Sequence, residues 1–119
     1  MKKRVCGIIL IISIFMTFVP YIYAATVVDS GTCGDNATWS LDSSGTLTIS
    51  GTGEIYDGSG ENAEQPWYDL KDNIKSVVIN YGITNIPFAA FRDFQNISSI
   101  SLSNSIERIE LEAFIHCTK

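Results

Sequence analysis

The side chains able to do chemistry in this sequence are few and scattered. His116 is the single histidine. It adjoins Cys117, but no G-x-S-x-G or comparable nucleophile signature stands near it, so no nucleophile–base pair is expected. Cys33 and Cys117 are too few and too far apart for a disulfide framework, and they are read as free, buried thiols acting as small hydrophobes. No Cys/His cluster has zinc spacing, so no metal or other cofactor is expected. Glu110 and Glu112 flank Leu111 as solvated carboxylates rather than an acid/base pair. Asp57-Gly58-Ser59-Gly60-Glu61 alternates oxygen side chains as a calcium loop does. An EF-hand, however, needs glycine where Asn62 stands and glutamate where Tyr68 stands, and a solvated acidic loop is the better reading. Asn36-Ala37-Thr38 and Asn96-Ile97-Ser98 have the form of glycosylation sequons.

A different pattern is stronger than any of these. Residues 74–96 (IKSVVINYGITNIPFAAFRDFQN) and 97–119 (ISSISLSNSIERIELEAFIHCTK) are two gapless copies of one 23-residue unit. Ile74 falls on Ile97, Val77 on Ile100, Ile79 on Leu102, Ile83 on Ile106, Ile86 on Ile109, Ala90 on Ala113 and Phe91 on Phe114. A fixed period of roughly 20–29 residues with kept apolar positions marks a leucine-rich-type solenoid. Each copy begins with an LxxLxL-like group. Its alternation puts Val77/Ile79 and Ile100/Leu102 inward from a short strand, and equivalent strands of successive coils lie parallel. Ile83/Ile86 and Ile106/Ile109 predict a second extended piece, and the A-F segments predict helical turns. Between the inward residues, Ser76, Val78 and Asn80 of the first coil and Ser99, Ser101 and Ser103 of the second face solvent. The inner sheet is where partners of a solenoid dock, so these six are the candidate binding residues.

Something must cover the first coil's apolar end. Residues 25–73 have the pattern of an N-terminal cap. Val27 and Val28 suit a short edge strand. Thr38–Leu41 and Thr46–Ser50 alternate around Asp42-Ser43-Ser44-Gly45, a hairpin with the expected turn chemistry. Gly51 and Gly53 predict a kink, residues 57–65 a loop, and 69–73 a short helical turn. Trp39 and Trp67 are placed to close the end of the solenoid.

Ahead of the cap, Lys2-Lys3-Arg4, an apolar run from Val5 to Val19, Pro20 and Ile22-Tyr23-Ala24 form the layout of a secretory signal peptide cut after Ala24. The apolar run is short for a membrane span. Losing three cations takes the formal net charge from −5 to −8. Such an acidic balance repels nucleic acid and anionic membranes.

Residues 30–55 (SGTCGDNATWSLDSSGTLTISGTGEI) and 66–79 (PWYDLKDNIKSVVI), with the I-x-x-I step at Ile106–Ile109, Ala113-Phe114 and Cys117, resemble BspA-like leucine-rich-repeat proteins. The resemblance spans essentially the whole chain after the leader. It implies a bacterial protein, secreted or displayed at the cell surface, that adheres to host or matrix components and does no catalysis. The expected architecture is mostly β. A signal peptide (1–24) and an antiparallel β-hairpin cap (25–73) precede two repeats (74–96 and 97–119) of short parallel strands and helical turns, with no C-terminal cap. Proteins of this kind carry many repeats. A truncated fragment with a structural or self-associating role is therefore the alternative reading, and an exported hydrolase a remote third.

Overall fold

The computed structural model describes residues 24–58 and 64–117. The leader, apart from Ala24, and part of the acidic loop lie outside the described residues. The described residues form seven strands: β1 (Val27–Thr32), β2 (Ala37–Asp42), β3 (Thr46–Gly51), β4 (Ser76–Ile79), β5 (Asn85–Ile86), β6 (Ser99–Leu102) and β7 (Arg108–Ile109), with a 3-10 helix over Tyr68–Asn73 between β3 and β4. Two ladders result. The larger runs β1-β2-β3-β4-β6, and the smaller pairs β5 with β7.

The hairpin forms because its turn satisfies itself. Asp42 Oδ1 accepts from the backbone N–H groups of Ser44 and Thr46 and from the Ser44 hydroxyl. The hydroxyl bond comes first among the causes that hold this carboxyl below its usual pKa. Gly45 takes φ +87, and a Cβ there would stand 2.8 Å from the Asn73 carbonyl oxygen, so the turn requires glycine. β2 and β3 then alternate as expected. Trp39, Leu41, Leu47 and Ile49 are buried, and the residues between them face outward.

The sheet goes on beyond the hairpin. β3 pairs parallel with β4 (Leu47 opposite Val77, Ile49 opposite Ile79) in the same sense as β4 pairs with β6 (Val77 opposite Ile100, Ile79 opposite Leu102). The cap was expected as a cover. Its second half is more than that, because it follows the path of a coil. Gly53 bridges Ile83, and the Asn85 amide clasps both the N–H and the C=O of Ile55. The Trp67 indole donates to the Ala90 carbonyl at 3.0 Å. The register offset is 30 at Ile55–Asn85 and 23 at Trp67–Ala90. Residues 46–73 are thus a coil in their own right, carrying seven extra residues between Ile55 and Trp67.

The coils hold each other through backbone and core together. Ser98 donates to Lys75 O, Glu107 to Thr84 O and Glu110 to Ile86 O. The A-F segments form turns tighter than the expected helical ones. Ala89 and Asp93 take positive φ, as do Glu112 and His116 at the same positions of the next coil. That geometry aims Ala89, Phe91 and Asp93 N–H at the carbonyls of Leu111, Ala113 and Ile115. A helix would have spent those donors within its own segment. At Gly82 a Cβ would stand 2.3 Å from the Gly51 carbonyl oxygen, so the first two coils approach there only because a side chain is missing.

An aromatic file threads the core: Trp39 edge-on to Trp67, Trp67 stacked on Phe91 at 5.8 Å, Phe91 stacked on Phe114 at 5.4 Å. The pairing of Trp39 and Trp67 at the solenoid's end matches expectation.

The exchange Ile86→Ala empties a fully buried site, whereas Ile109, the same residue one repeat later, is 54% exposed. Urea denaturation should show Ile86→Ala costing ~2–5 kcal/mol and Ile109→Ala below about 1 kcal/mol. Equal costs would mean that coil stacking does not govern burial.

Candidate functional site

The six candidate residues occupy the solvent side of the larger sheet, where the alternation puts them. Ser76 lies opposite Ser99 and Val78 opposite Ser101. Asn80 and Ser103 sit one step beyond the paired ends of β4 and β6. The register sets them side by side at the strand separation of roughly 4.7–4.9 Å. The Ser99 hydroxyl donates to the Ser76 oxygen at 3.0 Å. Ser103 shares a hydrogen bond of 2.8 Å with Ser105, which in turn donates to Ile83 O. The face is therefore ordered as well as polar.

It is also larger than two strands. The parallel join of β3 to β4 continues it onto the hairpin: Thr46 lies opposite Ser76 and Thr48 opposite Val78. Asn80 Nδ2 donates to the Ser50 oxygen at 2.8 Å. Ser40 lies opposite Thr48 and Thr38 opposite Ser50, and on β1 Ser30 and Thr32 pair with Ser40 and Thr38. Reading the hairpin as a separate cap missed these positions. The signal for them is the T-x-T-x-S alternation at Thr46–Ser50. It matches the outward register of Ser76, Val78 and Asn80 once the two strands are known to pair in parallel.

The residues singled out for chemistry are elsewhere. His116 and Asp93 stand at equivalent repeat positions, both with positive φ, and join the coils through Nδ1 and Oδ1 at 2.7 Å. Glu110 and Glu112 each hold an arginine: Arg108 bridges Glu110 and Glu54, and Arg92 pairs with Glu112. The Arg92–Glu112 pair ties the two repeats, with Arg92 also lying over the Phe88 ring, and Arg108 reaches past the first repeat to Glu54 of the coil before it. Among the described residues no group of His, Cys, Asp and Glu is arranged to hold a metal ion. No described helix is long and apolar enough to cross a membrane.

Cys33 and Cys117, the cysteines among the described residues, are both free. Cys33 is buried as expected. Cys117 is only half-buried, because its slot, filled in the first coil by Phe94, lies on the outer side of the second; its Sγ bonds the Phe91 carbonyl at 3.0 Å. Burial pushes the Cys33 thiol up to about 11 and raises Cys117 as well.

Residues 64–119 match the family described as the BspA type leucine rich repeat region (6 copies). A leucine-rich repeat protein from Eubacterium ventriosum has a similar structure, with a TM-score of 0.66 and 29% identity over 79% of this chain. The match covers 24% of that protein, so this chain spans about a quarter of its length. No curated protein matches the chain.

The thiolate is the reactive form, and Cys33 stays protonated at neutral pH. In residues 25–119 under native conditions a thiol reagent should therefore label Cys117 first and Cys33 only once denaturant is added. Fast native labelling at Cys33 would contradict its burial.

Proposed function

Residues 64–119 belong to the BspA-type leucine-rich-repeat family, and on that premise we propose that this chain is an exported binding module that adheres to host or matrix proteins through the open face of its larger sheet. The observation that carries the reading is the continuity of that face. A patch confined to Ser76, Val78, Asn80, Ser99, Ser101 and Ser103 falls short of the ~800 Å² per partner of a standard interface. Five hydrogen-bonded strands give a broader platform, held rigid from behind by buried Leu47, Ile49, Val77 and Ile79. The leader-like segment at 1–24 supports export. The family supports interaction rather than catalysis; His116 and Glu112 are engaged in contacts between coils, and Glu110 is paired with Arg108 of its own coil.

A second reading has its own observation. Ile100 and Leu102 are 38% and 39% exposed, while Val77 and Ile79 at the same repeat positions are 1% and 2% exposed. Ile109, Leu111 and Ile115 continue the apolar strip. An uncovered strand edge with such a strip favours association, and a second copy of this chain is its proposed occupant.

Binding of residues 25–119 to immobilised matrix proteins should be measurable, and Ser101→Glu should weaken it at least about tenfold by burying an unpaired charge. Unchanged binding in Ser101→Glu would remove the sheet face from the account. Light scattering across concentrations separates the second reading, which requires the mass to rise with concentration; a strictly monomeric protein contradicts it.

A further inference from the structure

The chemistry of the open face narrows the partner. Its three cross-strand rows run, by register, through Val27, Asp42, Thr46, Ser76 and Ser99; Ser30, Ser40, Thr48, Val78 and Ser101; and Thr32, Thr38, Ser50, Asn80 and Ser103. Val27, Asp42, Val78 and Asn80 are the exceptions to a field of hydroxyls. Only Asp42 carries charge, at one margin, and its carboxylate is engaged by Ser44 and Thr46. On the hairpin half the face sinks into a shallow hollow of about 430 Å³ lined by the hydroxyls of Ser30, Thr32, Thr38, Ser40, Thr48 and Ser50, with Val27, Gly31 and Trp39 completing its wall.

Protein–protein hot spots are built from Trp, Tyr and Arg, and serine is depleted in such interfaces. This face offers no tyrosine or arginine, and its tryptophan, Trp39, lines the hollow from the buried layer at only 5% exposure. It offers no cation for a phosphate, sulfate or carboxylate, and no free anion for a basic peptide. What it offers is a lattice of groups that each donate once and accept twice, spaced roughly 4.7–4.9 Å across strands and about 6.6–6.8 Å along them. Sugar hydroxyls have that same donor and acceptor character and recur along a pyranose chain at comparable intervals. Existing bonds such as Ser99 to Ser76 and Asn80 to Ser50 hold neighbouring groups in register. Fewer rotors are then left to order when a ligand arrives.

We infer that the ligand of the open face is a neutral glycan, lying on the hydroxyl lattice with the hairpin hollow seating one of its sugars. The inference rests on the adhesion reading, with the glycan being what a host or matrix glycoprotein presents. Recognition is by many weak hydrogen bonds, so single-site affinity is low and insensitive to salt.

The test uses residues 25–119 and neutral hexasaccharides of glucose, galactose and mannose, followed by titration with NMR detection, with a sulfated hexasaccharide as the charged control. At least one neutral sugar should shift amides of β2, β3 and β4 and hold its affinity from low to high salt. The exchange Thr48→Val keeps the side chain's shape and should weaken binding about fivefold, the value of one hydrogen bond. The exposed Leu111→Ala, past the β5–β7 ladder and in no row of the larger sheet, should leave it unchanged. Preference for the sulfated sugar, steep salt dependence, or shifts confined elsewhere would each overturn the proposal. So would the absence of binding to every neutral sugar. A matrix glycoprotein that binds equally before and after enzymatic deglycosylation, yet loses binding in Ser101→Glu, would sink the glycan while leaving the adhesion reading standing.

Discussion

Everything in this structure depends on one coil being able to bury its apolar edge against another in a fixed register. A single coil cannot offset its own ordering entropy, because its inward side chains contact mainly the coils above and below. The register is set twice over, by the parallel ladders on two sides and by the file Trp67–Phe91–Phe114 inside. Full burial of each large side chain contributes ~1.5–3 kcal/mol. The burial is asymmetric along the solenoid. The first repeat is covered from both sides, and Val77, Ile79, Ile83 and Ile86 are nearly inaccessible. The second is covered from one side, and Ile100, Leu102 and Ile109 stay partly in water.

That constraint gives the cap its meaning. A hairpin alone could shield an apolar end, but it could not specify where the first repeat's strand must pair. β3 does so, because Leu47 and Ile49 already stand where a preceding coil would place its inward pair. Ile55 and Trp67 complete that coil on its other sides through Asn85 and Ala90. β1 and β2 then turn the sheet antiparallel and end it. The β1 edge is broken by a register shift between Val27 and Asp29, which blunts further pairing on that side.

The two repeats were legible in the sequence because their apolar residues recur without a gap, and the hairpin because Asp42 and Gly45 stand where the turn needs them. The preceding coil was not legible. The seven extra residues between Ile55 and Trp67 break the 23-residue spacing, and neither half alone carries enough of the pattern. The tight A-F turns were missed for a different reason. Ala and Glu are good helix formers locally, and the carbonyls of the next coil override that preference. The candidate face was legible on β4 and β6, where alternation marks it, and hidden on β2 and β3 until their pairing was known. His116, the one residue whose type invited a catalytic reading, is bound to Asp93 of the preceding coil.

The central claim is that residues 46–73 are a coil on which the repeats are built. It is tested most directly by comparing residues 46–119 with residues 74–119 by circular dichroism during urea unfolding. The account predicts a cooperative transition for the longer fragment and none for the shorter one, which keeps both repeats and the β4–β6 pairing but loses β3, the other partner of β4. A cooperative transition in residues 74–119 alone would contradict it.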